Sequence, residues 1–353
     1  MKKLVLTLIA TSVIVGCSKQ EVDMTPTING AVINAEYTIN GQYVPTLNGK
    51  QIVHTVADKR NIHDDVKFSN ILMRWANYDK AMIARIDLNK RYEVDYDDKE
   101  YSECTLSGCD NLSLFDQLKS KDSSDEQDEY QGYDELGCQV NMTKNDFSVN
   151  KTGNSRTING FDTIEYKVLW TTEYKDTKGM VDLNEVSFDF WTTDVSKPMN
   201  QVFKVHGDFQ DGYYKTASQN PLMRLIGENG YKAIAAFTGD MDNQEHQFSG
   251  QIGRKLASIK GYPISIKLEW TQKSEACQEE KSATDNLDMT GGLESVGKQL
   301  LSNLMKKGKD TLVDAWKQKP LVRYVYEIKS VEMANFKESV FSPPAGFNLV
   351  NRQ

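Results

Sequence analysis

The segment "YPISIKLEWTQK", residues 262–273, alternates with a period of two. Ile264, Ile266, Leu268 and Trp270 fall on one side; Ser265, Lys267, Glu269 and Thr271 fall on the other. Successive side chains of a strand point to opposite faces, so this spacing predicts a sheet with one buried and one wet face, an antiparallel habit. "EVSFDFWTT" repeats the pattern with Val186, Phe188 and Phe190 against Ser187 and Asp189, and "LVRYVYEIKSVEM" behaves similarly. Near the start, "TINGAVINAEYTINGQYVPTLNGKQIVHTV" places Asn-Gly at 29, 40 and 48, and a further Asn-Gly lies at 159. Asn-Gly tolerates the positive φ of a type I′ turn, so these dipeptides predict hairpins. "ILMRWANYDKAMIARIDLNKRYEVDYDDKEYSEC" reads as strand pieces parted by Asn-, Asp- and Lys-bearing turns.

Helical spacing is confined to two regions. Between Lys197 and Phe237, "MNQVFKVHG" and "NPLMRLIGENGYKAIAAF" lack alternation, with Pro198 and Pro221 near their starts, where proline is tolerated. Between Gly292 and Lys317, Leu293, Val296, Leu300, Leu304, Leu312 and Trp316 recur at helical spacing, up to Pro320. Residues 119–136, "KSKDSSDEQDEYQGYDEL", carry almost nothing to bury and read as a solvated loop.

The N-terminus states where such a chain goes. Lys2 and Lys3 precede an apolar run, Leu4–Val15, too short for a bilayer span of about 20 residues. This is the layout of a secretory signal peptide. Ile14-Val15-Gly16-Cys17 resembles the bacterial lipobox: cleavage after Gly16, with the Cys17 thiol diacylated. Ser18 follows the cysteine, which in enteric-type sorting resembles an outer-membrane destination facing the periplasm. The organisation expected is a signal peptide over 1–16, a lipidated tether over 17–27, and one domain over 28–353 with a helical insertion at about 277–320.

The formal charge is −8, and losing Lys2 and Lys3 makes it more negative by two. That balance argues against nucleic acid as partner and against electrostatic docking on anionic lipid. Attachment then falls to the acyl chains on Cys17, since two or more anchor stably. Four further cysteines, Cys104, Cys109, Cys138 and Cys277, suggest two disulfides in an oxidising compartment. Three connectivities are open. Cys104 and Cys109 flank the turn-like "TLSG", so a local staple is easy to draw, which leaves Cys138 with Cys277. Metal ligation is disfavoured, because the spacing is not C-x-x-C and His54, His63, His206 and His246 each stand alone. "DYDDKE" at 95 and "DMDNQE" at 240 lack the glycine and distal Glu of a calcium loop. No nucleophile elbow, zinc-protease motif, phosphate loop or dinucleotide fingerprint occurs. The chain is accordingly read as a non-enzyme without cofactor.

The order of three motifs resembles the periplasmic lipoprotein-carrier proteins of the LolA and LppX type. "TINGFDTIEY" (157–166) looks like that family's Asn-Gly hairpin and Tyr-bearing strand. "GYPISI" (261–266) looks like its Gly-aromatic-Pro strand opening, and "FSPPAGF" (341–347) like its closing Pro-x-Gly-aromatic. The resemblance implies an α+β fold: a strongly curved, open antiparallel sheet, a half-barrel, with helices on its concave side. It also implies an apolar space between sheet and helices. The expected function is a membrane-anchored envelope lipoprotein holding a lipid or other apolar ligand there. Ile264, Ile266, Leu268 and Trp270 would line it from the sheet, and Leu300, Leu304 and Trp316 from the helix. The alternative is a structural or interaction lipoprotein whose core is filled by its own side chains; no protein partner is named by the residues.

Overall fold

A computed structural model describes residues 23–42, 45–106, 109, 138–195, 201–217, 253–277 and 320–352. The first half contributes β1 (Thr27–Asn40), β2 (Leu47–Val56), β3 (Lys59–Phe68), β4 (Tyr78–Arg85), β5 (Lys90–Asp95) and β6 (Glu100–Cys104). The second contributes β7 (Val140–Ile158), β8 (Phe161–Asp176), β9 (Val181–Thr193), β10 (Tyr262–Ser274), β11 (Val322–Lys337) and β12 (Asn348–Arg352). All twelve join one sheet in the order β12-β6-β5-β4-β3-β2-β1-β11-β10-β9-β8-β7. Two runs of sequential antiparallel neighbours are thus joined at β1–β11, which pair over the whole of β1.

This overturns the expected α+β half-barrel with helices on a concave side. The sheet is mixed, since β12 lies parallel to β6. It is also mostly strand. The described helices are α1 (Gln201–Ala217) and the single turn α2 (Gly253–Leu256), besides short 3-10 turns. Strand carries through far more of the chain than three motifs suggest, because β7 and β8 alone run for 19 and 16 residues. The Gly292–Lys317 segment and the acidic loop lie outside the described residues.

Asn-Gly has two fates. At 159–160 it makes a two-residue turn closing Ile158 onto Phe161, with φ of 49° and 86°. Both central residues of a type I′ turn need positive φ, which this dipeptide supplies. Asn29-Gly30 and Asn48-Gly49 instead sit inside β1 and β2, contrary to expectation. There the glycine serves close approach: a Cβ on Gly49 would fall 2.1 Å from the Tyr37 ring, its cross-strand partner. The β2–β3 turn is made by Ala57 and Asp58 instead.

The sheet is covered differently on its two faces. Helix α1 lays Val202, Phe203, His206, Phe209 and Tyr213 onto one face, over β1, β2 and β11. Phe203 packs with Ala31, Ile33, Ala35 and Ile328 there. The opposite face, over β2–β6, is covered by the chain after β11. Phe341 is sealed among Ala81, Ile83 and Val94. The Asn61 side-chain amide donates to the Val340 carbonyl at 2.6 Å, and Lys59 meets Glu338 at 2.6 Å. That arm also holds the segment leading into β1: Ser339 Oγ donates to the Asp23 carboxylate, which lowers the Asp23 pKa to about 2.

Candidate functional site

The largest apolar assembly lies on the helix face, along the end of the sheet where β1 finishes and β11 begins. Phe147, Tyr166, Val168 and Trp170 from β7 and β8 meet Val186, Phe188 and Phe190 from β9. Tyr37, Ile39, Leu47, Val66 and Phe68 continue the cluster across β1–β3. The four sequence-predicted sheet residues are all inside, with exposures of 0% (Ile264), 3% (Ile266), 0% (Leu268) and 5% (Trp270). Ile266, Leu268 and Trp270 belong to this cluster. Ile264 does not. It lies beyond Ile266 along the same strand and packs under helix α1, with Phe203 and Ile328. Leu300, Leu304 and Trp316, the expected covering residues, lie outside the described residues, as does Cys17.

The reverse side of β10 is wet only in part. Lys267 pairs with Glu269 at 2.6 Å and Arg323 with Glu269 at 2.7 Å. Ser265 and Thr271, expected to be exposed, are buried. A central strand is flanked on both sides, so its short polar residues are shielded by longer neighbours such as Trp191 and Glu327 opposite Ser265.

A polar and tyrosine-rich belt separates this apolar assembly from the helix-covered one, and Tyr326 packs against both. Gln51 donates to Asp64 at 3.0 Å, and the Tyr326 hydroxyl reaches Gln51 Oε1 at 3.5 Å. Burial, and then the nearby Asp64 carboxylate, push Tyr37 and Tyr324 up and Tyr78 up to about 12. These phenols stay neutral donors. The sequence does not flag the belt, because its members come from β1, β2, β3, β4 and β11.

His206 closes the belt from helix α1. It is 1% exposed; Nδ1 faces Thr55 Oγ1 at 2.9 Å, and Nε2 has no hydrogen-bond partner among the described residues. Burial, reinforced by the Arg60 cation, drives its pKa well below the usual imidazole value. Arg60 is fixed in place, donating to the His206 carbonyl at 3.2 Å and lying 4.2 Å over the Phe209 ring. The folded state therefore holds His206 neutral, while the unfolded imidazole takes a proton near pH 6.5. The contribution is complete above that value and is lost as pH falls, by up to about 1.4 kcal/mol per pH unit. Urea midpoints are expected to decline between pH 7 and pH 5, and less steeply in His206→Gln. Equal slopes in the two proteins would remove His206 as the origin.

Both disulfides are formed as the spacing suggested: Cys104–Cys109 and Cys138–Cys277. Two buried carboxylates set the second in place. Asp182 accepts from the Ala276 N–H at 2.7 Å, and Asp176 from the Cys277 N–H at 3.0 Å. The Cys277, Met180 and Lys178 N–H groups together hold the Asp176 pKa below the ordinary carboxylate range. "DYDDKE" becomes the β5–β6 turn, where Asp95 Oδ1 accepts from the N–H groups of Asp97 and Asp98. No group of three potential metal-ligating residues gathers among the described residues.

"ILMRWA", predicted as a strand piece, is instead a 3-10 turn over Ile71–Ala76 between β3 and β4. Ile71, Leu72 and Trp75 are 66%, 79% and 59% exposed. Met73 and Ala76 turn inward onto the large apolar cluster. No protein-family model, curated protein or solved structure compared with this chain matches it.

Proposed function

We propose that this chain is an acylated envelope lipoprotein whose sheet receives a lipid or another apolar molecule on its helix face. The observation that carries this reading is a single apolar cluster running from β7 to β3, continuous through Met73 and Ala76 with an exposed apolar tip. Each methylene moved from water to such a surface gains about 0.8 kcal/mol, so an acyl chain is a fitting occupant. The lipobox at Ile14–Cys17 supplies the anchor, and no described helix is long and apolar enough to cross a membrane. Two disulfides suit an oxidising compartment. The outer membrane, facing the periplasm, is the destination Ser18 suggests.

A second reading is favoured by the burial of Ile264, Leu268 and Phe190, which are 0% exposed. On that reading the core is filled by the protein itself and the lipoprotein serves an envelope complex. Organic extraction of the purified protein followed by mass spectrometry separates the two. Reproducible co-purified lipid is expected; its absence leaves the filled-core reading. Cys17→Ser is expected to yield unprocessed or soluble protein. A mutant that stays processed and fully membrane-bound would exclude the lipobox, and fractionation with the inner membrane would exclude the sorting assignment.

A further inference from the structure

The Ile71–Ala76 turn is built to stand outward. Its entry is capped by Asn70, whose side chain accepts from the Leu72 N–H at 3.0 Å. Its exit is fixed twice by Asn77: the backbone N–H donates to the Arg74 carbonyl at 3.2 Å, and Oδ1 accepts from the Phe68 N–H at 2.8 Å. Caps at both ends and two inward anchors hold Ile71, Leu72 and Trp75 in water. Large apolar side chains held together at a surface mark an interaction site.

Its composition narrows the partner. In a chain of net charge −8, residues 69–77 hold no acid, and Arg74 is their single charge. A Trp beside Leu and Ile, with one Arg and flanking Ser and Asn, suits the boundary between headgroups and acyl chains, where tryptophan is enriched. Chain geometry supplies the second argument. Asp23, pinned to Ser339, is six residues from Cys17, a span of at most about 20 Å. The tip lies at the opposite end of the sheet, since it follows Phe68, which pairs with Leu47, itself paired with Ile39. β1, from Thr27 to Asn40, measures about 44 Å. A molecule anchored at Cys17 therefore brings its tip to the same bilayer when β1 lies along the membrane, and a short tether raises the effective concentration of such a weak second contact.

We propose that Ile71, Leu72 and Trp75 insert into the bilayer that holds the Cys17 anchor, laying the sheet along the membrane and bringing the apolar cluster to its surface. This rests on the acylated-lipoprotein reading. Insertion is apolar, so it is independent of lipid charge and of salt.

The test uses the full protein purified from membranes and reconstituted into phosphatidylcholine vesicles with brominated acyl chains, which quench indole on contact. Co-flotation and the mass of the N-terminal peptide report the anchor; emission reports the tip. Brominated lipid is expected to quench the wild type, with that component lost in Trp75→Phe and in Leu72→Asp and unchanged from 0.05 to about 0.5 M salt. Quenching equal in wild type and Trp75→Phe, with the protein floating, overturns the insertion and leaves the tip as a surface for a protein partner. Failure to float overturns the anchor instead. The tip is then read at raised vesicle concentration, where Trp75-dependent quenching sustains the insertion and its absence ends it. Both substituted residues are more than half exposed, so folding is spared.

Discussion

Leu268→Asp is expected to cost at least about 4 kcal/mol, enough to leave much of the protein unfolded, because it buries a carboxylate with no partner. Leu268 lies between Phe188 of β9 and Tyr324 of β11 in the same register, and all three are buried. Phe188 stacks on Phe190 at 5.7 Å, so the site has no freedom to admit water without breaking a ring pair. Lys267→Thr, one residue away, removes only the 2.6 Å pair with Glu269 on the wetter side, worth about 1 kcal/mol or less. Urea unfolding followed by tryptophan emission gives both values. The contrast bears on function as well as stability. If Leu268→Asp folds with an unchanged midpoint, the face is an open groove, and the filled-core reading fails.

Strand β10 was legible because its signal is local. Four large apolar residues at spacing two leave one choice of face, and all four take it, Ile266, Leu268 and Trp270 in the large cluster and Ile264 under helix α1. The bulge between Pro263 and Ser265 is not local; it depends on pairing with Thr192 and Trp191, some seventy residues earlier. The Asn-Gly dipeptides make the same point. Asn159-Gly160 turns because the flanking strands pair with each other. Gly30 and Gly49 stay extended because Phe336 and Tyr37 cover them, and a Cβ on Gly30 would meet the Phe336 ring at 2.6 Å. The dipeptide permits a turn, and the partner strands decide whether one forms.

The candidate site was legible in its sheet residues and in its disulfides, and illegible elsewhere for two reasons. Its polar belt is assembled from single residues on five strands, so no window of sequence holds it. The tip at Ile71–Ala76 reads as a strand because propensity responds to Ile, Leu, Met and Trp wherever they lie. What makes it a turn is the pair of asparagines at 70 and 77, whose side chains accept backbone N–H groups that a strand would have paired. The architecture failed for a different reason. Three short motifs carry little information about how far a sheet extends, and β12 returns to pair beside β6 only after the chain from β11 has crossed the opposite face.

Removing the Cys138–Cys277 bridge by the double change Cys138→Ser and Cys277→Ser is expected to cost about 4–5 kcal/mol, against about 2 kcal/mol for the corresponding Cys104 and Cys109 pair. The two bridges close loops of very different length, with sequence separations of 139 and 5. A crosslink acts mainly by shrinking the unfolded ensemble, and the longer loop removes more of it. The longer bridge also ties edge strand β7, which Cys138 precedes, to the end of β10, across β8 and β9. Cys277 sits at a φ of 59°, a conformation that a non-glycine residue holds only when its surroundings impose it. The Asp176 and Asp182 carboxylates impose it here through the N–H groups of Cys277 and Ala276. These bonds give the experiment a second arm. Asp176→Asn with the disulfide intact keeps the unfolded-state constraint and weakens only the folded end. If loop closure dominates, Asp176→Asn costs well under half of what the double serine variant costs in urea unfolding. If the two costs match, or if both disulfide variants lose the same amount, the bridge stabilises through the folded geometry at Cys277, and the loop-length argument is wrong for this chain.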